Sequence, residues 1–345
     1  MENRFVLAML GVVTACVGAP PPPQGESISA LQECPEEYCG TNSPKIDIHG
    51  FHELSVSGRP NAQNMVLDRA TLGAAPVRIR VQQGALIAEA GQTVFTGAAL
   101  VGLRLTVLID GLAFELELMS VGSMFFPVPA ESGDLLPTYV FEYIDANGVR
   151  QNLCGNRPIL LPSRDLLYWE TFNQVPREAI LFEGDRIDTS RMSIAAGFDA
   201  DWFNIGCAGH TLSKLHLTRN TSASRASTYG HNLASRQATL KLLAADYCGT
   251  GRPFTVAGQP LAWRDPQQVM AFYSGASVLE ARWNEHGATC LHKPRLLRPA
   301  SAAGAQLFPD IWQAIASECP NLLSSPCQDL DIQSFDGQDR VSANR

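Results

Sequence analysis

The chain has 345 residues, with 26 Lys and Arg against 34 Asp and Glu, a net charge of −8, and 45% apolar residues. That is length for one large or two ordinary domains. The acidic balance argues against a nucleic-acid partner, which calls for a clustered basic face, and no apolar run reaches the roughly 18 residues that a membrane-crossing helix needs.

Arg4 and the terminal amine precede a run of nine apolar residues, Phe5 to Val13. This is right for the core of an export signal and too short to cross a bilayer. Val13-Thr14-Ala15-Cys16 follows: an aliphatic residue, two small ones, then Cys. The tetrapeptide resembles a bacterial lipobox, in which the thiol of Cys16 is acylated and the chain is cut just before it. Residues 1–15 are therefore expected to be a lipoprotein signal peptide, and the first partner of the mature chain is a membrane, reached through lipid on Cys16. The alternative is a plain secretory signal cut after Ala15 or Ala19. Four consecutive prolines, Pro20 to Pro23, favour an extended backbone, so residues 16–44 read as a stalk or linker.

Nine cysteines occur. With Cys16 set aside for lipid, eight remain: Cys34, Cys39, Cys154, Cys207, Cys248, Cys290, Cys319 and Cys327. An even number in an exported chain predicts disulfides, with the pairing open. No two form a C-x-x-C pair, which removes the main support for a zinc ribbon or a thioredoxin-like site.

Residues 45–185 read as a β-rich domain. Val77 to Val81 alternates as a half-buried strand. Leu103–Ile109, Asp110-Gly111 and Leu112–Met119 form the clearest hairpin, because Asp-Gly supplies the two positive φ angles of a type I′ turn. Its register pairs Leu103 with Leu118, Leu105 with Leu116, Val107 with Phe114 and Ile109 with Leu112 on one face. The other face sets Arg104 against Glu117 and Thr106 against Glu115. A second hairpin joins Tyr139–Ile144 to Val149–Leu153. Short strands at this spacing suggest a sandwich-like domain or an open barrel. His49 and His52 flank Gly50-Phe51 without a third ligand, so they read as turn residues and no metal site is expected.

Residues 186–298 mix helix and strand. Ala208–Leu217 is a short helical candidate, and Thr218–Tyr229 reads as a loop. Gln237–Cys248 places Leu240, Leu243, Ala244 and Tyr247 on one face, with Gly249 as the stop. Phe254–Val256 and Pro260–Trp263 read as strands, as do Val278–Trp283 and Thr289–Leu291 around Glu285-His286-Gly287. Residues 299–345 are expected to add a helix from Pro309 to Ser317, then a mobile polar tail from Gln328.

Ala245-Asp246-Tyr247-Cys248-Gly249, with Gly251 and Thr255 after it, resembles the ADYC domain family. Phe203-Asn204-Ile205-Gly206-Cys207-Ala208-Gly209 with Lys214 upstream, and Trp283 with Gly287-Ala288-Thr289-Cys290 downstream, match as well. The resemblance spans about residues 154–293. It implies an exported bacterial protein, often a lipoprotein, and no mechanism. The family pattern carries Cys where this chain has Leu215 and Thr239. Their joint absence, taken with the resemblance, implies two antiparallel helices bridged by Cys207–Cys248, which leaves Cys154 for Cys290, with Cys34–Cys39 and Cys319–Cys327 as local loops.

Catalytic signatures are scarce. There is no G-x-S-x-G elbow, no H-E-x-x-H and no P-loop. Gly249-Thr250-Gly251 begins like a dinucleotide fingerprint, but Phe254 stands where the third Gly belongs. The polar set around the motifs is His210, Lys214, His216, Asp246, Tyr247 and His286. From it, His210 or His286 with Asp246 is the candidate acid–base pair. Asn220-Thr221-Ser222 spells a glycosylation sequon, without meaning in a bacterial host. The reading is an α+β protein: a β-rich N-terminal sandwich-like or open-barrel domain, then a disulfide-stapled α+β domain. Its expected role is a non-enzymatic binding or structural lipoprotein of the bacterial cell envelope, engaging an envelope protein or polymer without cofactor. The alternative is an exported hydrolase of envelope polymers.

Overall fold

The structure is a computed structural model that describes residues 44–126, 134–155, 177–207, 209–255, 261–267, 278–297, 310–328 and 340–344. The alternating first half makes strands. β1 (Lys45–Ile46) and β2 (His49–Gly50) form a small ribbon. There follow β3 (Glu53–Ser55), β4 (Met65–Leu72), β5 (Ala75–Gln82), β6 (Ala85–Ala90), β7 (Thr93–Thr96), β8 (Leu103–Ile109), β9 (Leu112–Phe126), β10 (Asp134–Ile144) and β11 (Arg150–Asn152). The later strands β12 (Ala179–Gly184) and β15 (Asp199–Cys207) join them, while β13 (Ile187–Asp188) and β14 (Ser193–Ile194) pair separately. The main sheet runs β3-β15-β12-β10-β9-β8-β4-β5-β6-β7, with β11 also on β10.

The β8–β9 hairpin has the expected register, Arg104↔Glu117, Leu105↔Leu116, Thr106↔Glu115, Val107↔Phe114 and Ile109↔Leu112. Asp110 (φ 49°) and Gly111 (φ 84°) supply the turn. In β5, Val77, Ile79 and Val81 are buried. The β10–β11 hairpin is closed by Asp145, whose carboxylate accepts hydrogen bonds from the Asn147 and Val149 amides at 2.9 and 2.8 Å.

Two sets of contacts curl this sheet. Asn61 donates to the Glu53 carbonyl (2.8 Å) and accepts from the Met65 amide (2.9 Å), so it ties β3 to β4. At the β5–β6 turn, Gln83 N donates to Glu183 (2.7 Å) and Leu86 N donates to the Tyr139 hydroxyl (2.7 Å). The enclosed core includes Leu54, Met65, Leu105, Val107, Leu116, Phe141, Leu181 and Phe203. β12 and β15, neighbours in the sheet, stand on either side of residue 185, so the sheet runs across that position.

The second core packs α1 (Thr211–Leu217) and α2 (Leu233–Ala244) with α3 (Ile311–Glu318), α4 (Pro320–Leu323) and a small sheet. That sheet is built from β16 (Ala262–Arg264), β17 (Val278–Asn284), β18 (Gly287–Leu291) and β19 (Val341–Asn344), in the order β16-β19-β17-β18. Leu212, Leu215, Leu240, Leu243, Tyr247, Trp263, Trp283 and Ile315 are buried there.

Several expectations are corrected. α2 begins earlier than Gln237, because Asn232 caps it by accepting from Ser235 N (2.9 Å). It ends at Ala244, where Ala245 turns left-handed (φ 53°) and its amide bonds back to Leu242 and Lys241. Phe254 lies outside any strand, and residues 256–260 lie outside the described residues. The polar tail, expected to be mobile, contributes β19, the strand between β16 and β17. Trp283 holds it there: its amide donates to the Arg340 carbonyl (3.0 Å) and its indole N–H to Ser342 Oγ (2.8 Å).

Among the described residues the disulfides are Cys154–Cys207, Cys248–Cys319 and Cys290–Cys327. The pairings Cys207–Cys248, Cys154–Cys290 and Cys319–Cys327 are therefore replaced. The reason is positional: Cys207 ends a strand of the main sheet and not a helix, which puts it beside the β10–β11 hairpin. Cys248, past the end of α2, is joined to the residue that closes α3. Cys16, Cys34 and Cys39 lie outside the described residues.

Candidate functional site

The motif residues that follow α2 form a buried joint. Asp246 is fully buried, and its carboxylate accepts from Lys241 Nζ (2.5 Å) and from the Gly251 amide (2.9 Å). Burial pushes its carboxyl above the ordinary range, with Lys241 pulling the other way. Lys241 also donates to the carbonyls of Arg191 (2.7 Å) and Gly249 (3.1 Å), so one ammonium ties three segments together.

The Tyr247 hydroxyl donates to Glu280 and accepts from the Arg295 amide (3.0 Å), and its ring stacks on Trp283 at 5.4 Å. Burial, then the charge of Glu280, raise this phenol well above its usual value. The Arg295 guanidinium lies 2.7 Å from Glu280 Oε1 and also donates to the Leu242 carbonyl at 2.8 Å. It also donates to the Leu243 carbonyl (3.3 Å), one of the last carbonyls of the helix. Cys248 is in a disulfide, and the glycines are dictated by space. A Cβ on Gly249 (φ 72°) would lie 1.7 Å from the His286 carbonyl oxygen, and one on Gly251 (φ 98°) would lie 2.0 Å from that of Ser190. Asp246 Oδ2, Tyr247, Cys248, Gly249 and Gly251 thus each have a structural occupation, while Asp246 Oδ1 is buried without a hydrogen-bond partner among the described residues.

The proposed acid–base pair is not assembled. The carboxylate of Asp246 is engaged by Lys241 and Gly251, whereas the His286 side chain is 83% exposed, with Glu285 at 3.7 Å. His210 sits at the cap position of α1, where its carbonyl accepts from Ser213 Oγ (2.8 Å). His216 is buried against Phe182 and shares a hydrogen bond with Thr221 (2.8 Å); burial lowers its pKa to about 3. Burial likewise brings Lys214 down to about 8. Asn220 of the sequon is buried and donates to the Thr218 carbonyl (2.7 Å); the segment is the loop expected, with Thr218, Arg219, Asn220 and Thr221 buried. His52 is buried on the Ile187 carbonyl (2.7 Å), and His49 lies in the β1–β2 ribbon. Among the described residues, no three His, Cys, Asp or Glu side chains are grouped to hold a metal.

A second feature escaped the sequence reading. On the outer face of the main sheet, β9, β10 and the β10–β11 turn line an open groove of about 370 Å³. The β9–β10 register sets Glu142 directly opposite Glu117, a like-charge pairing that a sheet ordinarily avoids. Arg150 Nη1 lies 3.3 Å from both carboxylates, and Arg104 bridges Glu115 (3.4 Å) and Glu117 (3.7 Å). Ala113 and Ile144 form the apolar wall, while Phe114 turns to the other face and packs on the enclosed core. The signal in the sequence was partial: the hairpin placed Glu115 and Glu117 beside strand β8, but Glu142 joins them only through a longer-range pairing that shifts register at Val140/Phe141.

Three disulfides and a buried ionic joint define a stapled, β-rich α+β protein of an oxidising, extracytoplasmic compartment. Among the described residues no helix is long and apolar enough to cross a membrane. The ADYC domain model matches residues 97–297, and the chain belongs to that family. The match starts well before the position expected from the motifs alone and takes in β8 to β10 of the main sheet. No curated protein and no solved structure matches the chain.

Proposed function

We propose that this protein is a non-enzymatic binding or structural lipoprotein of the bacterial cell envelope. Residues 1–15 direct export, lipid on Cys16 holds the chain at a membrane, and residues 16–44 space the folded body from it. The observation that carries the non-enzymatic reading is the joint after α2. Tyr247, Glu280 and Arg295 satisfy one another in the interior, Asp246 Oδ2 is held by Lys241 and the Gly251 amide, and the imidazole of His286 is 83% exposed. A general base needs a carboxylate or imidazole within reach of substrate, and buried reciprocal pairs are used up in holding the fold.

Two measurements test this reading on the full chain. Labelled palmitate incorporates into the parent and not into Cys16→Ser; equal labelling of both rejects the anchor. Incubated with isolated envelope polymer, the protein co-sediments and releases no soluble fragments. Release above buffer that is abolished by Asp246→Asn or His286→Ala rejects the non-enzymatic role.

A further inference from the structure

We propose that the groove on the outer face of β9, β10 and the β10–β11 turn docks a lysine- or arginine-bearing segment of an extended polypeptide. This deepens the binding role proposed above and rests on it.

The charge arithmetic comes first. Glu115, Glu117, Glu142 and Asp145 line the groove, and two guanidiniums, Arg104 and Arg150, reach these glutamates, so 2 − 4 = −2 remains. Asp145 is spent on its own turn: hydrogen bonds, that from Gln151 first, hold its carboxyl below the ordinary range, so it adds fixed negative charge. The glutamates are differently placed. Glu117 and Glu142 face each other across the ladder; Arg150 lies 3.3 Å from both and Arg104 reaches Glu115 and Glu117, so two cations serve three glutamates. An incoming ammonium or guanidinium relieves that deficit, and charged hydrogen bonds of this type are among the stronger ones.

The shape selects among cations. Beside the carboxylates runs a short apolar wall of Ala113 and Ile144, and Ile144 is half exposed (51%). A lysine or arginine side chain buries its aliphatic stem along such a wall while its head stays among the acids. The groove is open, and its three glutamates stand on paired strands, which pre-orders them for an extended ligand. A neutral saccharide would find hydrogen-bond partners here and would leave the surplus charge unanswered.

The test is fluorescence anisotropy on the full chain. The probes are a short labelled peptide alternating Lys with Ala, its Glu counterpart and a neutral chitin oligosaccharide. The Lys peptide is expected to bind saturably, the Glu peptide not at all, and the affinity to fall as salt is raised. Glu117→Gln/Glu142→Gln weakens binding about tenfold or more, while Glu285→Gln, an acid outside the groove, leaves it unchanged. The double variant keeps the size of both side chains, and an unchanged circular dichroism spectrum verifies its fold. Equal binding by parent and double variant, which would mean only the general attraction of an acidic chain, overturns the proposal. Absence of saturable binding overturns it too, as does tighter binding of the saccharide. Co-sedimentation with envelope that persists without peptide binding rejects the groove and leaves the binding role standing.

Discussion

Replacing Gly249 by Ala tests whether the family motif is a spatial joint. Both Gly249 (φ 72°) and Gly111 (φ 84°) occupy the left-handed region, where a side chain costs about 1–2 kcal/mol. At Gly111 an added Cβ meets nothing within 4 Å, so Gly111→Ala should cost about that and no more. At Gly249 the same atom lands 1.7 Å from the His286 carbonyl oxygen and 2.9 Å from its carbon. Both are backbone atoms, and the β17–β18 turn has to move away. That turn is fastened by Ala288 N donating to the Tyr247 carbonyl at 2.9 Å. Separation breaks this bond, worth about 1 kcal/mol, and loosens the packing of Tyr247 on Trp283 by about 1–2 kcal/mol more. The expected loss for Gly249→Ala is therefore roughly 3–5 kcal/mol, against roughly 1–2 for Gly111→Ala. Urea unfolding with the disulfides intact measures both from the midpoint and slope. A Gly249→Ala loss no larger than that of Gly111→Ala would refute the close approach of the motif to His286.

Other expectations follow from the same contacts. The His216 ring, held at about 3 by burial with Arg219 beside it, is neutral in the fold and titrates near 6.5 when unfolded. The unfolded chain takes up the extra proton, so stability is full above pH 6.5, falls as pH drops below it, and stops falling below about 3. At pH 5 this amounts to about 2 kcal/mol, and His216→Gln should remove that share of the difference between urea midpoints at pH 7 and 5. An undiminished difference refutes it. Tyr247→Phe strands one hydrogen bond to Glu280 and one from the Arg295 amide, and should cost about 1–3 kcal/mol by thermal unfolding, with secondary structure retained. Non-reducing peptide mapping should recover Cys154–Cys207, Cys248–Cys319 and Cys290–Cys327; a Cys207–Cys248 peptide contradicts the fold. Cys248→Ser/Cys319→Ser opens a bridge across 71 residues and should cost roughly 4 kcal/mol by the chain-entropy relation.

What could be read in the sequence was local. The Asp110-Gly111 hairpin came out pair by pair, because a two-residue loop and a strict alternation leave one register. The end of α2 did not: Gly249 looked like the stop, yet Ala245 takes the left-handed turn, where Lys241 and Leu242 meet the Arg191 carbonyl and Arg295 brought in from distant segments. Cysteine pairing depends on which elements meet. Cys207 sits where a helical hairpin was expected, and it proved to close a strand whose neighbours in the sheet come from residues 53–55 and 179–184. Val341–Asn344 is too short to announce itself as a strand; Trp283 recruits it. The groove needed the Glu117–Glu142 juxtaposition, a contact between strands whose register shifts between Val140 and Phe141 and which no local pattern encodes.

The placement of β19 sets an order of events for the nascent chain. β16 and β17 bond to it and not to each other. Until Val341–Asn344 have been synthesised, those two strands face each other across an empty lane, with their amides open to water or to a stray chain. The curled N-terminal sheet, by contrast, needs nothing beyond Cys207. One half of the molecule can therefore solidify early as an independent nucleus, while the other waits for its final piece. Ribosomes that stall shortly before residue 341 should display a protease-resistant front and a digestible rear.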